Sequence, residues 1–316
     1  MLLFERPIHL DYQDRVVYLG GKVFQEGDAD RFYRELHESF FGPRGFRPDW
    51  FTLESAGQRE GDVLKLLSEG VGVVCHYHHS FTYNLSLPQG AINTGNVADI
   101  RNAERPFVMF SNGCYSNQFT KEGISEKLLL SPAGGPAAFI GSTNTCFTSS
   151  LALERAFWQV LFADEGLTLG EALSRVRAGV RQDIGVMGFL RLSFSLLGDP
   201  AMRLWFGRPR RPAFRVAAGK HDALEVTLAE KAGANVRVAC TQAGAWGAWR
   251  EPVPVPPGET RCVLPAAIGN GAPLRVTLLG EELVPVTIEV ADPVRVRTKG
   301  VRVEGRTLRV EFQGAE

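Results

Sequence analysis

Two stretches of this chain run from a buried, apolar strand straight into reactive side chains: VGVVCHYHHS at 71–80 and PFVMFSNGCYSNQF at 106–119. A thiolate is a strong nucleophile toward an acyl carbon, and a nearby imidazole can take the thiol proton and later return it to a leaving amine. Open α/β sheets place their sites at the carboxyl ends of strands. A histidine ending one parallel strand and a cysteine ending its neighbour would therefore meet at one sheet edge. His78 and Cys114 are the candidates, and the segment between them has room for a loop, a short crossover and the next strand. Gly113 permits the sharp turn that exposes a sulfur just past a buried strand.

Each of these residues also has a plainer reading. Alternation along a strand sends His76 and His78 to one face and Cys75, Tyr77 and His79 to the other. A His-x-His pair suits a metal, but no Asp, Glu or Cys stands at a helpful local spacing, and a packed histidine is the other alternative. For Cys114 the alternative is a buried structural thiol; the polar run after it favours exposure. Cys75 and Cys146 sit among apolar or small residues and read as packed thiols. Ser142, Thr143 and Asn144 end a strand beside the proposed site, where they either line a substrate pocket or form a polar turn capping the next helix. Asp199 in Gly-Asp-Pro reads as a turn residue. Trp246 and Trp249 read as packing or edge protection in a β-rich region.

The elements that must position the dyad alternate between strand and helix through residues 1–206, the pattern of an α/β fold with a mainly parallel sheet. Strands are expected at 14–19, 71–77, 106–111 and 136–141, the last three nearly continuous apolar runs of the kind buried on both sides. In ADRFYRELHESFF the residues Ala29, Phe32, Tyr33, Leu36 and Phe40 share one helical face, with Asp28 or Asp30 as cap. Further helices are expected in GDVLKLLSEG, stopped by Gly70, and at 123–130, 149–164 and 168–182. FSLLGDPAMRLW gives a last strand, broken by its turn. Composition changes at the linker GRPRRP, 207–212, and residues 213–316 carry seven or so short alternating strands, which is what an immunoglobulin-like β-sandwich requires.

The bulk numbers narrow the function classes. At 316 residues the chain exceeds one comfortable core, and 44% hydrophobic with 22% charged residues marks an ordinary globular protein. Lys plus Arg and Asp plus Glu both number 35, for a formal net charge of zero, so nothing points to nucleic acid. The amino-terminal apolar run is broken by Glu5 and Arg6 and reads as neither signal peptide nor membrane span. None of the five cysteines stands in a CxxC pair, which argues against structural zinc; Cys240 and Cys262 are left open as a pair.

These residues together resemble the gingipain type of cysteine peptidase, peptidase family C25, with its caspase-like fold. The resemblance rests on Tyr77-His78-His79-Ser80, on Gly113-Cys114-Tyr115-Ser116-Asn117-Gln118-Phe119, on the strand GGPAAFIGSTN, on the TLGEAL helix start and on the closing LLGDPAMRLW. It implies a cysteine endopeptidase that needs no metal or other cofactor and acts on extended polypeptides. Cys114 would be nucleophile and His78 acid and base, with the backbone N–H groups of Cys114 and His79 holding the oxyanion. The family carries Gly where this chain has His79, which narrows the substrate's approach. It also implies an appended immunoglobulin-like domain, an extracellular or cell-envelope setting, and a second caspase-like half preceding the one seen here. The rival expectation is an inactive scaffold whose β-sandwich binds protein or glycan at a cell surface.

Overall fold

The computed structural model describes residues 2–21, 23, 29–53, 59–179, 185–218, 223–233, 235–242, 252–264, 274–280, 283–290, 297–304 and 307–313. Two compact units result, Met1–Arg208 and Pro209–Glu316. Asp28, Trp246 and Trp249 lie outside the described residues.

The first unit opens with α1 (Leu2–Glu5), β1 (Arg15–Gly20), α2 (Ala29–Leu36), β2 (Arg47–Phe51), α3 (Glu60–Glu69) and β3 (Val73–Tyr77). A small meander of β4 (Ser80–Phe81), β5 (Asn84–Ser86) and β6 (Ala91–Asn93) follows, then β7 (Phe107–Ser111), α4 (Ile124–Leu130) and β8 (Pro136–Ser142). Three helices, α5 (Ser150–Ala163), α6 (Leu169–Gly179) and α7 (Val186–Ser193), lead to β9 (Phe194–Gly198). The main sheet has the order β2-β1-β3-β7-β8-β9. Its strands pair in parallel except β9, which runs antiparallel to β8. From β1 the chain goes to β2 on one side and returns to β3 on the other. Such a reversal opens a crevice at the carboxyl ends of the strands.

Alternation builds a core on each face of this sheet. Val16, Tyr18, Val73, Cys75, Val108 and Phe110 face the cluster containing Phe157, Trp158 and Leu161 of α5. Val17, Leu19, Val74, Phe107 and Met109 face Val63 and Leu67 of α3 and Ile124 and Leu128 of α4.

The sequence expectation for α2 placed Phe40 on its apolar face. The helix instead continues as a π-helical turn over His37–Phe41, which takes one more residue per turn. Phe41, not Phe40, is therefore fully buried, with its ring edge-on to Trp158 at 5.0 Å and Phe162 at 4.9 Å. The strand β2, the meander and α7 were not expected. Pro48 in β2 hides a strand signal, and it is tolerated because β2 is an edge.

The second unit consists of β10 (Phe214–Ala218), β11 (Leu224–Leu228), β12 (Arg237–Gln242), β13 (Val253–Pro254), β14 (Arg261–Leu264), β15 (Leu274–Gly280), β16 (Leu283–Val290), β17 (Arg297–Glu304) and β18 (Thr307–Gln313). The sheets run β10-β11-β14 and β13-β12-β15-β16, with β17-β18 a separate hairpin, and all pairs are antiparallel. Val216, Val226 and Cys262 of one sheet share a buried cluster with Val238, Val276 and Ile288 of the other. Cys240 and Cys262 stand on different sheets and are not joined by a disulfide.

Candidate active site

The ends of β1, β3 and β7 leave the sheet at one edge. His76 pairs across to Ser111, so His78 and Cys114 each emerge two or three residues beyond a matched pair of strand positions. His78, His79, Asn112 and Cys114 line one cleft with Val23, Tyr77, Cys146 and Phe147, about 260 Å³ including its open mouth.

The three histidines of HYHHS part company here. His76 is fully buried, with Nδ1 2.9 Å from Ser111 Oγ and Nε2 2.9 Å from the Ser86 carbonyl. A carbonyl only accepts, so the proton sits on Nε2 and Nδ1 accepts from the serine hydroxyl. Burial pushes His76 down to about 4. It is a packed, neutral imidazole, and among the described residues no cluster of metal-ligating side chains forms around it.

His78 is half-buried, and burial followed by the neighbouring His79 lowers its pKa. Its Nδ1 accepts the backbone N–H of His79 at 2.7 Å. Its other edge rests on Gly21, just past β1, where a β-carbon would lie 2.0 Å from Cδ2 and 2.2 Å from Nε2. The glycine is the seat of the ring. His79 is exposed, with its ring 5.7 Å from that of His78. Its N–H, expected to face the oxyanion, is bonded to the His78 ring instead.

Cys114 is partly exposed, and its Sγ receives the N–H of Cys146 at 3.3 Å. Its carbonyl accepts from the buried Ser80 hydroxyl at 2.7 Å. Gly113 is needed for a different reason from the one the sequence suggested. A β-carbon there would lie 2.0 Å from Ser80 Oγ, so the constraint is close approach. The left-handed turn falls on Tyr115, at φ 54°, a cost of the kind concentrated at functional sites. Tyr115 N–H bonds to the Asn144 carbonyl at 2.9 Å. Cys146 is buried beside Cys114, and burial pushes its thiol up to about 12.

Ser142, Thr143 and Asn144, the expected substrate residues, lie at the end of β8 and in the turn after it, where their side chains bond to backbone. Ser142 Oγ donates to the Asn144 carbonyl at 2.9 Å, and Thr143 Oγ1 donates to the Ser193 carbonyl at 3.0 Å. Asn144 Oδ1 accepts the Thr145 N–H at 2.8 Å. It is Cys146 and Phe147, further along the same segment, that line the cleft. Asp199 accepts the Ala201 N–H at 2.8 Å, the turn role expected of it.

Sequence reasoning missed Gly21, Asn112 and Glu154. Asn112 N–H bonds to the His76 carbonyl at 2.7 Å, and Asn112 Nδ2 stands 2.5 Å from Glu154 Oε2. Glu154 is fully buried on α5 and also accepts Trp158 Nε1–H at 3.1 Å. Burial raises its pKa to about 8. A signal was present: Glu154 falls in the stripe Leu153, Phe157, Trp158 and Leu161, and a carboxyl on an apolar face asks for a partner.

A family model for peptidase family C25 matches residues 5–205. The chain belongs to peptidase family C25. That membership makes it a cysteine peptidase by family, of gingipain type, and implies polypeptide substrates. The fold is similar to the Arg-specific cysteine proteinase gingipain R (RgpB), at TM-score 0.71 and 15% identity over 92% of this chain and 70% of that one. A complex of Porphyromonas gingivalis RgpB pro- and mature domains matches at TM-score 0.72 and 14% identity, over 92% and 71% of the two chains. A further protease structure matches at TM-score 0.71 and 13% identity, over 91% and 70%. No curated protein sequence matches. Among the described residues of this C25 chain, no helix is long and apolar enough to cross a membrane.

Proposed function

We propose that the protein is a cysteine endopeptidase in which Cys114 attacks the peptide carbonyl carbon. The carbon–sulfur bond forms as the carbonyl electron pair moves to oxygen, where the Cys114 N–H helps hold the charge. The imidazole takes the Cys114 thiol proton as the sulfur attacks. On collapse the carbon–nitrogen bond breaks as the resulting imidazolium protonates the departing amine, and water then hydrolyses the thioester to the carboxylic acid and the free thiol. The observation that carries this reading is the convergence of Cys114 with His78 and His79 in one cleft at the ends of adjacent parallel strands. His78 is the acid and base, seated on Gly21. A second reading gives that role to His79, and the bond from His79 N–H to His78 Nδ1 favours it. That bond leaves the His78 proton on Nε2 in the neutral ring, while the exposed His79 ring also lines the cleft.

Residues 1–206 are read as the caspase-like peptidase domain, 207–212 as the linker and 213–316 as an immunoglobulin-like sandwich. The strand orders β10-β11-β14 and β13-β12-β15-β16 support the last, since they fit the A-B-E and C′-C-F-G sheets of such folds.

The test is labelling with a peptide-based electrophile, followed by mapping of the modified residue. Cys114 is expected to react in the folded protein, and Cys114→Ala to abolish cleavage of a casein-like substrate with little change in melting temperature. A folded protein in which Cys114 stays unlabelled, while a denatured control labels freely, would leave the inactive-scaffold reading in its place.

A further inference from the structure

The cleft has an apolar wall beside the proposed nucleophile. Cys146 N–H bonds to Cys114 Sγ at 3.3 Å, and Phe147 is the next residue along the chain. Phe147 lines the cleft together with Val23. Its ring stands edge-on to that of Phe189 on α7, with centroids 6.1 Å apart and planes at 74°. Both residues are left open to water, Phe147 at 40% and Phe189 at 39% exposure.

These open rings sit on well-anchored backbone. α7 buries Leu190 completely and packs Met187 against the main core. The carbonyl of its last residue, Ser193, accepts both the Thr143 N–H at 2.8 Å and the Thr143 hydroxyl at 3.0 Å. The helix is thereby fastened to the segment that carries Cys146 and Phe147. Val186 and Leu192, three residues to either side of Phe189, are exposed as well and extend its apolar surface along one helical face. Contiguous apolar surface held open next to reactive groups is the usual form of a ligand subsite.

Size and charge narrow the occupant. At about 260 Å³ including its open mouth, the cleft admits one side chain rather than a length of polypeptide. Because Cys114 is itself in the wall, that side chain belongs to the residue whose carbonyl the sulfur attacks. Among the described residues lining the cleft there is no carboxylate, so a lysine or arginine side chain would lose its water without gaining a counter-charge. An acidic side chain would find a cation there only by protonating the imidazoles that the reaction needs as base.

We propose that Phe147 and Phe189 form the subsite for the side chain on the acyl side of the scissile bond, and that this subsite selects a large apolar or aromatic residue. Phe147 is the inner wall and determines specificity, while Phe189 supports it at the mouth. The subsite presupposes the cysteine-peptidase reading and names the substrate class of that same site.

The test is a series of extended peptides identical except at the residue before the scissile bond, which is Phe, Leu, Ala, Glu, Lys or Arg. A matching series of peptide electrophiles is scored by the rate of Cys114 labelling. Phe and Leu are expected to exceed Ala in kcat/KM by about 10- to 100-fold, as burial of one large apolar side chain predicts. Phe147→Ala should lower kcat/KM for the Phe peptide about tenfold or more and leave the Ala peptide little changed, while Phe147→Leu keeps most of the preference. Phe189→Ala should shift the ranking in the same direction by a smaller factor. An equal loss toward every peptide in Phe147→Ala would show a structural role and overturn the subsite. Preference for Lys, Arg or Glu, with Cys114 labelled, overturns the subsite alone. If no peptide is cut and no electrophile labels Cys114 in the folded protein, the peptidase reading falls and the subsite falls with it.

Discussion

The ring of His78 lies on the α-carbon of Gly21, with no room between them for a single additional carbon. The strand end of β1, which carries no reactive group, therefore sets the position of an imidazole contributed by β3.

Gly21→Ala is expected to displace the His78 ring, since a β-carbon 2.0 Å from Cδ2 forces movement. Misplacing a reacting group by about 1 Å can cost 10²-fold in rate. Steady-state kinetics should show kcat/KM reduced at least about tenfold, with circular dichroism unchanged. Wild-type activity in this variant would mean that the ring's seat has no part in turnover.

Replacing the two cleft imidazoles one at a time separates their roles. If His78 is the base, His78→Ala loses about 10²-fold or more in kcat and His79→Ala much less; the reverse ranking assigns the proton to His79. Equal, full activity in both variants would exclude a dyad built on either.

Gly113 and Ser80 should behave as one unit. Ser80→Ala removes a hydrogen bond to the Cys114 carbonyl and is expected to cost about 1 kcal/mol in urea unfolding. Gly113→Ala should cost more, because its β-carbon would lie 2.0 Å from Ser80 Oγ and 2.7 Å from Ser80 Cβ. In a Ser80→Gly background the same change should be milder, and strict additivity of the two substitutions would contradict the contact.

His76 should make the fold acid-sensitive. The unfolded chain binds a proton there near 6.5, the folded chain only near 4. The unfolded state thus holds more protons between these values, and stability present above about 6.5 is lost as pH falls toward 4. The slope can reach about 1.4 kcal/mol per pH unit for one such group. Urea midpoints at pH 7.5 and pH 5 should differ by less in His76→Gln than in wild type; an unchanged difference would place the acid sensitivity elsewhere.

What the sequence revealed of this site, and what it hid, follows from the range of the contacts. The strands carrying His78 and Cys114 were legible because parallel strands buried on both faces read as continuous apolar runs. The meander between them was not, since β4 to β6 are two or three residues long and carry no periodicity. The π-helical turn that exchanges Phe41 for Phe40 leaves no mark in a pattern read at helical spacing. Gly21, Asn112 and Glu154 take their roles from residues on other elements, so their neighbours in sequence say nothing of His78 or of each other. Glu154 alone breaks its local pattern.

The placement of the reactive groups has a consequence for the newly made chain. Sulfur, imidazole and the seat of the imidazole come from the ends of three separate strands, β7, β3 and β1, and meet only when those strands have paired in register. A fragment ending after β3 would carry the imidazole and its seat without the sulfur. Pairing of those three strands is thus the event that first brings the proposed nucleophile and its base together.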